Sequence, residues 1–121
     1  MRVYLAGPMR GYPDFNFPAF DAGAAALRAL GHEVFSPAER DREVHGENVN
    51  DSKTGDLTDV PQFDLRGALA ADLEWVCKYA DAVVLLDGWE QSKGALAERA
   101  AAEALACEGV KVYTIKELLD A

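Results

Sequence analysis

The chain is poor in the residues that build the commonest metal and redox sites. It carries two cysteines and two histidines among 121 residues. Cys77 and Cys107 cannot make a disulfide framework. Both fall in stretches with helical periodicity, beside apolar residues, and are expected to be reduced packing residues. His32 and His45 have no partner at metal-ligand spacing and are expected to be solvated. No metal or cofactor is implied. Basic residues are scarce too: 12 Lys and Arg stand against 21 Asp and Glu, a net charge of −9. That excludes a broad basic face for a nucleic-acid polymer or an anionic membrane surface. It leaves room for a small anion held by one Arg and a helix N-terminus. No apolar run approaches the roughly 18 residues of a membrane span. The run Arg2–Ala6 is too short for a signal peptide and reads as a strand. A soluble, cytoplasmic domain is the expectation. There is no Gly-rich phosphate loop ending in Gly-Lys-Ser/Thr, no Gly-x-Gly-x-x-Gly after a strand, and no internal repeat.

What the sequence does hold is alternation of strand-like and helix-like periods over a length suited to one domain. The strand Arg2–Ala6 stops at Gly7-Pro8. A helix follows from Pro18, with Phe20, Ala24, Leu27 and Leu30 on one face and Gly31 at its end. Glu33–Ser36 reads as a second strand. Residues 38–64 have no sustained period and many acidic residues, which reads as a long loop, either mobile or a lid insertion. A second helix puts Leu65, Leu69, Leu73, Val76 and Ala80 on its buried face. Asp81–Leu86 is the clearest buried strand. Residues 94–106 form an alanine-rich helix, Val110–Tyr113 a fourth strand, and Ile115–Leu119 a last short helix. This order predicts a single α/β domain, Rossmann-like or flavodoxin-like, with a parallel sheet of order 2-1-3-4. The chain reverses between strands 1 and 3, so the loops at 7–16 and 87–93 should line one crevice.

The crevice would hold carboxylates and hydroxyls. Tyr4 lies in strand 1. Arg10 lies between Gly7 and Gly11, which let backbone approach a ligand. Asp72 lies on the second helix, and Asp87 ends strand 3. Ser92 and Gly94 begin the third helix, where free N–H groups can bind an anion, and Glu98 follows about a turn later. Each has a plainer alternative. Tyr4 could be core and Arg10 a surface cation. Asp72 could pair with Lys78 or Arg66, and Glu98 could merely complement the helix dipole. Asp87 as a receiver-like phosphoacceptor lacks the acidic pair it needs, because Ala6-Gly7-Pro8 follows strand 1. Convergence of the set on one crevice favours a functional reading.

The stretches Tyr4–Gly11, Asp72-Leu73-Glu74-Trp75, Ala80–Val84 and Ser92–Glu98 resemble the nucleoside 2-deoxyribosyltransferase superfamily. They resemble most its deoxynucleoside 5′-monophosphate N-hydrolases and its small phage and bacterial domains of unassigned function. The resemblance implies that Glu98 attacks the anomeric carbon, that Asp72 protonates the departing base and that Tyr4 orients the nucleophile. An N-glycosidic bond breaks through an oxocarbenium-like state that a carboxylate can trap. Ser92 stands where the exchanging transferases carry an acid, and it suits a phosphate better than a free hydroxyl. The expected activity is therefore an N-glycosidase acting on a nucleoside 5′-monophosphate. The alternatives are a deoxyribosyltransferase exchanging bases and a non-catalytic nucleotide-binding or sensing domain. The resemblance also implies a homo-oligomer, most simply a dimer, since that superfamily completes its sites across subunits. The alanine face at 97, 100, 101 and 104 is wider than one sheet contact needs. In this reading residues 38–64 would be a lid using Phe63 or Leu57 over the base.

Overall fold

A computed structural model describes residues 1–120. Four strands, β1 (Arg2–Ala6), β2 (Glu33–Phe35), β3 (Ala82–Leu85) and β4 (Lys111–Thr114), form one sheet in the order 2-1-3-4. Every pairing is parallel, with Tyr4 opposite Phe35 on one side and Val83 on the other. The expected fold class and strand order are those of the structure. β3 is buried along its length, as an interior parallel strand covered on both faces must be.

Among the described residues five α-helices accompany the sheet: α1 (Phe17–Ala29), α2 (Pro37–His45), α3 (Leu65–Lys78), α4 (Lys93–Ala104) and α5 (Ile115–Leu119). Strand alternation splits the core in two. Val3, Leu5 and Val84 pack with Phe20, Ala24 and Leu27 of α1. Tyr4, Ala6, Val83 and Leu85 pack with Val76 of α3 and with Ala95 and Ala102 of α4. The small side chains of α4 bring that helix close to the sheet, and with it the one long polar side chain on its inner face, Glu98.

Three expectations are corrected. The segment 38–64 is not without regular structure, because its first part is helix α2. The inward positions of α2 are Pro37, Ala38 and Asp41, so it carries too little apolar signal to show a period. The inner face of α3 is Ala68, Asp72 and Val76, rotated from the leucine row; Leu65 is exposed and Leu69 and Leu73 are half-buried. Cys77 and Cys107 are free and exposed rather than packed, one on the outer face of α3 and one in the turn after α4. Among the described residues no helix is long and apolar enough to cross a membrane.

Candidate functional site

The loops that leave β1 and β3 enclose a cavity of about 440 Å³ at the carboxyl ends of the strands. This is the chain-reversal point, where open α/β sheets bind ligands. Gly7 lets the first loop cross β3 closely, since a Cβ there would meet the Leu86 side chain at 2.8 Å. Asp14, Phe15 and Asn16 all adopt left-handed backbone, with φ of 55°, 52° and 62°. For non-glycine residues such backbone costs on the order of 1 kcal/mol each. The strain turns Phe15 into the cavity wall, and Asn16 Nδ2 holds the turn by donating to the Pro8 carbonyl at 2.9 Å.

The remainder of the 38–64 segment lies over this opening and is stitched to the first loop. Gly11 N–H donates to the Gly55 carbonyl at 2.9 Å, and Asp14 N–H to the Ser52 carbonyl at 2.6 Å. A Cβ at Gly55 would collide with the Tyr12 backbone. Val49, Leu57, Val60 and Phe63 of this segment line the cavity. His45, expected to be solvated, is half-buried at the end of α2: its ring packs on Phe63 at 4.8 Å, and its Nε2 accepts the Asp64 N–H at 3.1 Å. His32 is half-exposed, with Nδ1 3.2 Å from the N-terminal amine.

On the cavity floor Tyr4 is fully buried, and its hydroxyl donates to Glu98 Oε2 at 2.6 Å. Phe35 stacks on the Tyr4 ring at 5.5 Å and Trp75 on Phe35 at 5.1 Å, which fixes the direction of the hydroxyl. Asp72 reaches the floor from α3, which packs directly against α4. A third carboxyl, Asp41 of α2, stands in the same wall and is 3% exposed. Sequence reasoning missed Asp41, because it sits in a stretch that reads as a solvated acidic loop. Burial raises all three carboxyls. Glu98 rises to about 8, partly offset by the Tyr4 hydrogen bond and reinforced by the Asp72 charge. Asp41 rises to about 7, with the Asp72 charge adding and Arg40 opposing. Asp72 rises to about 6, held back by Arg40 and Tyr4.

A family model described as Domain of unknown function (DUF4406) matches residues 1–112. The chain belongs to that family. No curated protein and no solved structure matches the chain. The DUF4406 match includes every residue of the cavity.

Of the residues singled out in the sequence, Tyr4, Gly7, Arg10, Gly11, Asp72, Ser92, Gly94 and Glu98 all line the cavity. Asp87 does not: it is exposed at the end of β3 and is not part of the cavity wall. The charges in the cavity are segregated. Arg10 and Lys93 are exposed at the rim, while the three carboxyls are buried below. Lys93 was not anticipated; it opens α4 beside Ser92. Ser92 caps α4, its Oγ accepting the Ala95 N–H at 3.1 Å, which leaves the hydroxyl hydrogen free to donate. A residue at Gly88 with a Cβ would meet the Tyr12 hydroxyl at 2.8 Å, so the loops bearing Arg10 and Ser92 are in contact.

The buried carboxyls set a pH dependence of stability. Each has a folded pKa above its unfolded value, so between about pH 4 and pH 8 the folded state binds more protons than the unfolded state. Stability is then greatest at the acid end of that window and falls as pH rises. Urea unfolding should show the protein more stable at pH 5 than at pH 8 by about 2 kcal/mol or more. Glu98→Gln should narrow that gap by stabilising the protein at pH 8. Stability that rises from pH 5 to pH 8 contradicts the burial of these charges.

Proposed function

We propose that the protein is an N-glycosidase that cleaves the base–sugar bond of a nucleoside 5′-monophosphate, with Glu98 as nucleophile. The observation that carries this reading is the buried Tyr4–Glu98 hydrogen bond beside Asp72 on the floor of a ligand-sized cavity. The resemblance of these segments to the nucleoside 2-deoxyribosyltransferase superfamily gives each residue its role. Glu98 in its ionised form attacks the anomeric carbon as the C–N bond breaks, giving a glycosyl ester. The Tyr4 hydroxyl hydrogen bond favours that ionised form and fixes the carboxylate. Near neutral pH burial leaves the proton mainly on Glu98, raised to about 8 against about 6 for Asp72. The reacting form is therefore the minor one, in which Glu98 is ionised and Asp72 holds the proton that it delivers to the departing base. Water then attacks the anomeric carbon, its proton passing to the Asp72 carboxylate as the bond to Glu98 breaks, which releases the sugar phosphate and restores both residues. At the rim, Arg10, Lys93, the Ser92 hydroxyl and the free N–H groups of Lys93 and Gly94 hold the 5′-phosphate.

The segment 46–64 acts as the lid, with Leu57 and Phe63 against the base. Chromatography of nucleotides after incubation tests the reading. Free base without an added acceptor marks a hydrolase, base exchange only with an acceptor marks a transferase, and tight binding without release marks a sensing domain.

The same reading calls for a homo-oligomer. On the outer side of α4, Ala100 and Ala104 are exposed and Ala97 and Ala101 half-buried, a smooth surface for a second copy. Light scattering at micromolar concentration should give a dimer or larger species, and a strict monomer counts against this assembly.

A further inference from the structure

The segment 46–64 is bonded to the rest of the protein at two places. Its tip is joined to the first loop through Gly55 and Ser52. At its neck, among the described residues, one hydrogen bond joins the two ends: Asp64 N–H donates to His45 Nε2, 3.1 Å away. His45 is the last residue of α2, just before the segment begins. Asp64 ends the segment and caps α3, its Oδ1 accepting the Gly67 N–H at 3.0 Å.

That bond fixes the state of the imidazole. A backbone N–H can only donate, so Nε2 is bare and the neutral ring carries its proton on Nδ1. Nδ1 is buried and has no partner among the described residues. A histidine in the last turn of a helix is ordinarily read as a cation facing the helix dipole. A charged ring would set its own N–H against that of Asp64, so the dipole does not account for His45. Few buried polar atoms go without a partner. Here the ring is aimed by Nε2 and by Phe63, on which it packs at 4.8 Å, and Nδ1 is left over.

What the bond positions is the cavity wall. Asp64 stands between Phe63 and Leu65, and both line the cavity, whereas His45 does not. Phe63 N–H in turn donates at 2.9 Å to the carbonyl of Val60, a buried residue of the same wall. We propose that His45 is a positioning residue whose bare Nε2 closes the neck of the segment and so sets the apolar wall against which the ligand packs. The kinetic consequence rests on the N-glycosidase reading, in which that wall meets the base. His45 then governs ground-state binding and leaves the chemistry to Glu98 and Asp72.

Two variants separate the acceptor from the ring. His45→Gln keeps an acceptor at the reach of Nε2 and loses the ring. His45→Phe keeps a ring on Phe63 and loses the acceptor. With a monophosphate that releases base, His45→Phe should raise KM about fivefold or more with kcat within about twofold, and His45→Gln should stay within about twofold of the wild type in both. KM unchanged in His45→Phe, or raised as far in His45→Gln, overturns this inference and leaves the N-glycosidase reading standing. Hydrogen exchange judges the neck in the ligand-free protein. The Asp64 amide should be protected in the wild type and in His45→Gln, and about fivefold less protected in His45→Phe. Equal protection in His45→Phe overturns the inference as well. Imidazole nitrogen NMR shifts of the wild type at about pH 8 should place the His45 proton on Nδ1. A proton on Nε2 overturns the inference without any variant. If no monophosphate is bound or cleaved, the N-glycosidase reading falls, and the exchange and nitrogen shifts still decide the role of His45.

Discussion

Glu98→Gln should abolish base release, lowering kcat on the order of a thousandfold or more, while nucleotide binding persists. The amide has the shape of the carboxylate and can still face Tyr4, but it cannot form the sugar ester. Glu98 is 5% exposed and sits on the inner face of α4 among alanines, so the neutral amide also removes a buried ionisable group. The variant should therefore be at least as stable as the wild type at pH 8, which separates lost chemistry from lost fold. Asp72→Asn should slow the reaction most for bases that leave poorly, because it removes the proton donor. Turnover unchanged in Glu98→Gln would refute the nucleophile assignment.

The second large effect concerns the phosphate. A monophosphate should exceed its nucleoside in kcat/KM by on the order of a hundredfold or more. Each charge-assisted hydrogen bond is worth roughly 1.5–3 kcal/mol, and the rim offers at least two cations and a hydroxyl. Arg10 and Lys93 are both exposed at this rim, in a chain whose net charge is −9, so the attraction is local and owes nothing to a basic surface. Arg10→Ala should weaken the monophosphate far more than the nucleoside, and the loss should shrink as salt screens the rim. Equal kcat/KM for nucleoside and monophosphate would remove the phosphate site and favour base exchange between nucleosides.

The sheet was legible because its strands are short apolar runs bounded by Gly, Pro and Asp, and because alternating periods admit few parallel topologies. Asp72, Ser92 and Glu98 were legible as a set because they fall on or at the start of the helices beside the crevice, and Tyr4 joined them from inside β1. What escaped has a common cause. Residues that face a ligand cavity need not look like core. On α2 the inward face holds Asp41 in place of an apolar residue, so neither the helix nor its site residue announced itself. On α3 Asp72 and Val76 were legible, but the leucine row reads as core, whereas Leu65 is exposed and Leu69 half-buried and both wall the cavity. Lys93 reads as a surface lysine until the loop after β3 places it beside Ser92. Asp87 failed in the opposite sense: a strand-end carboxylate pointed to the crevice by topology, but it stands exposed outside it.

The most direct measurement is base release from nucleoside 5′-monophosphates by the purified protein, followed by chromatography with the sugar phosphate quantified alongside. The account predicts free base and sugar phosphate in equal amounts from at least one monophosphate, with no acceptor base added and with the activity absent in Glu98→Gln. Intact nucleotides across the whole panel after prolonged incubation with folded protein would contradict it.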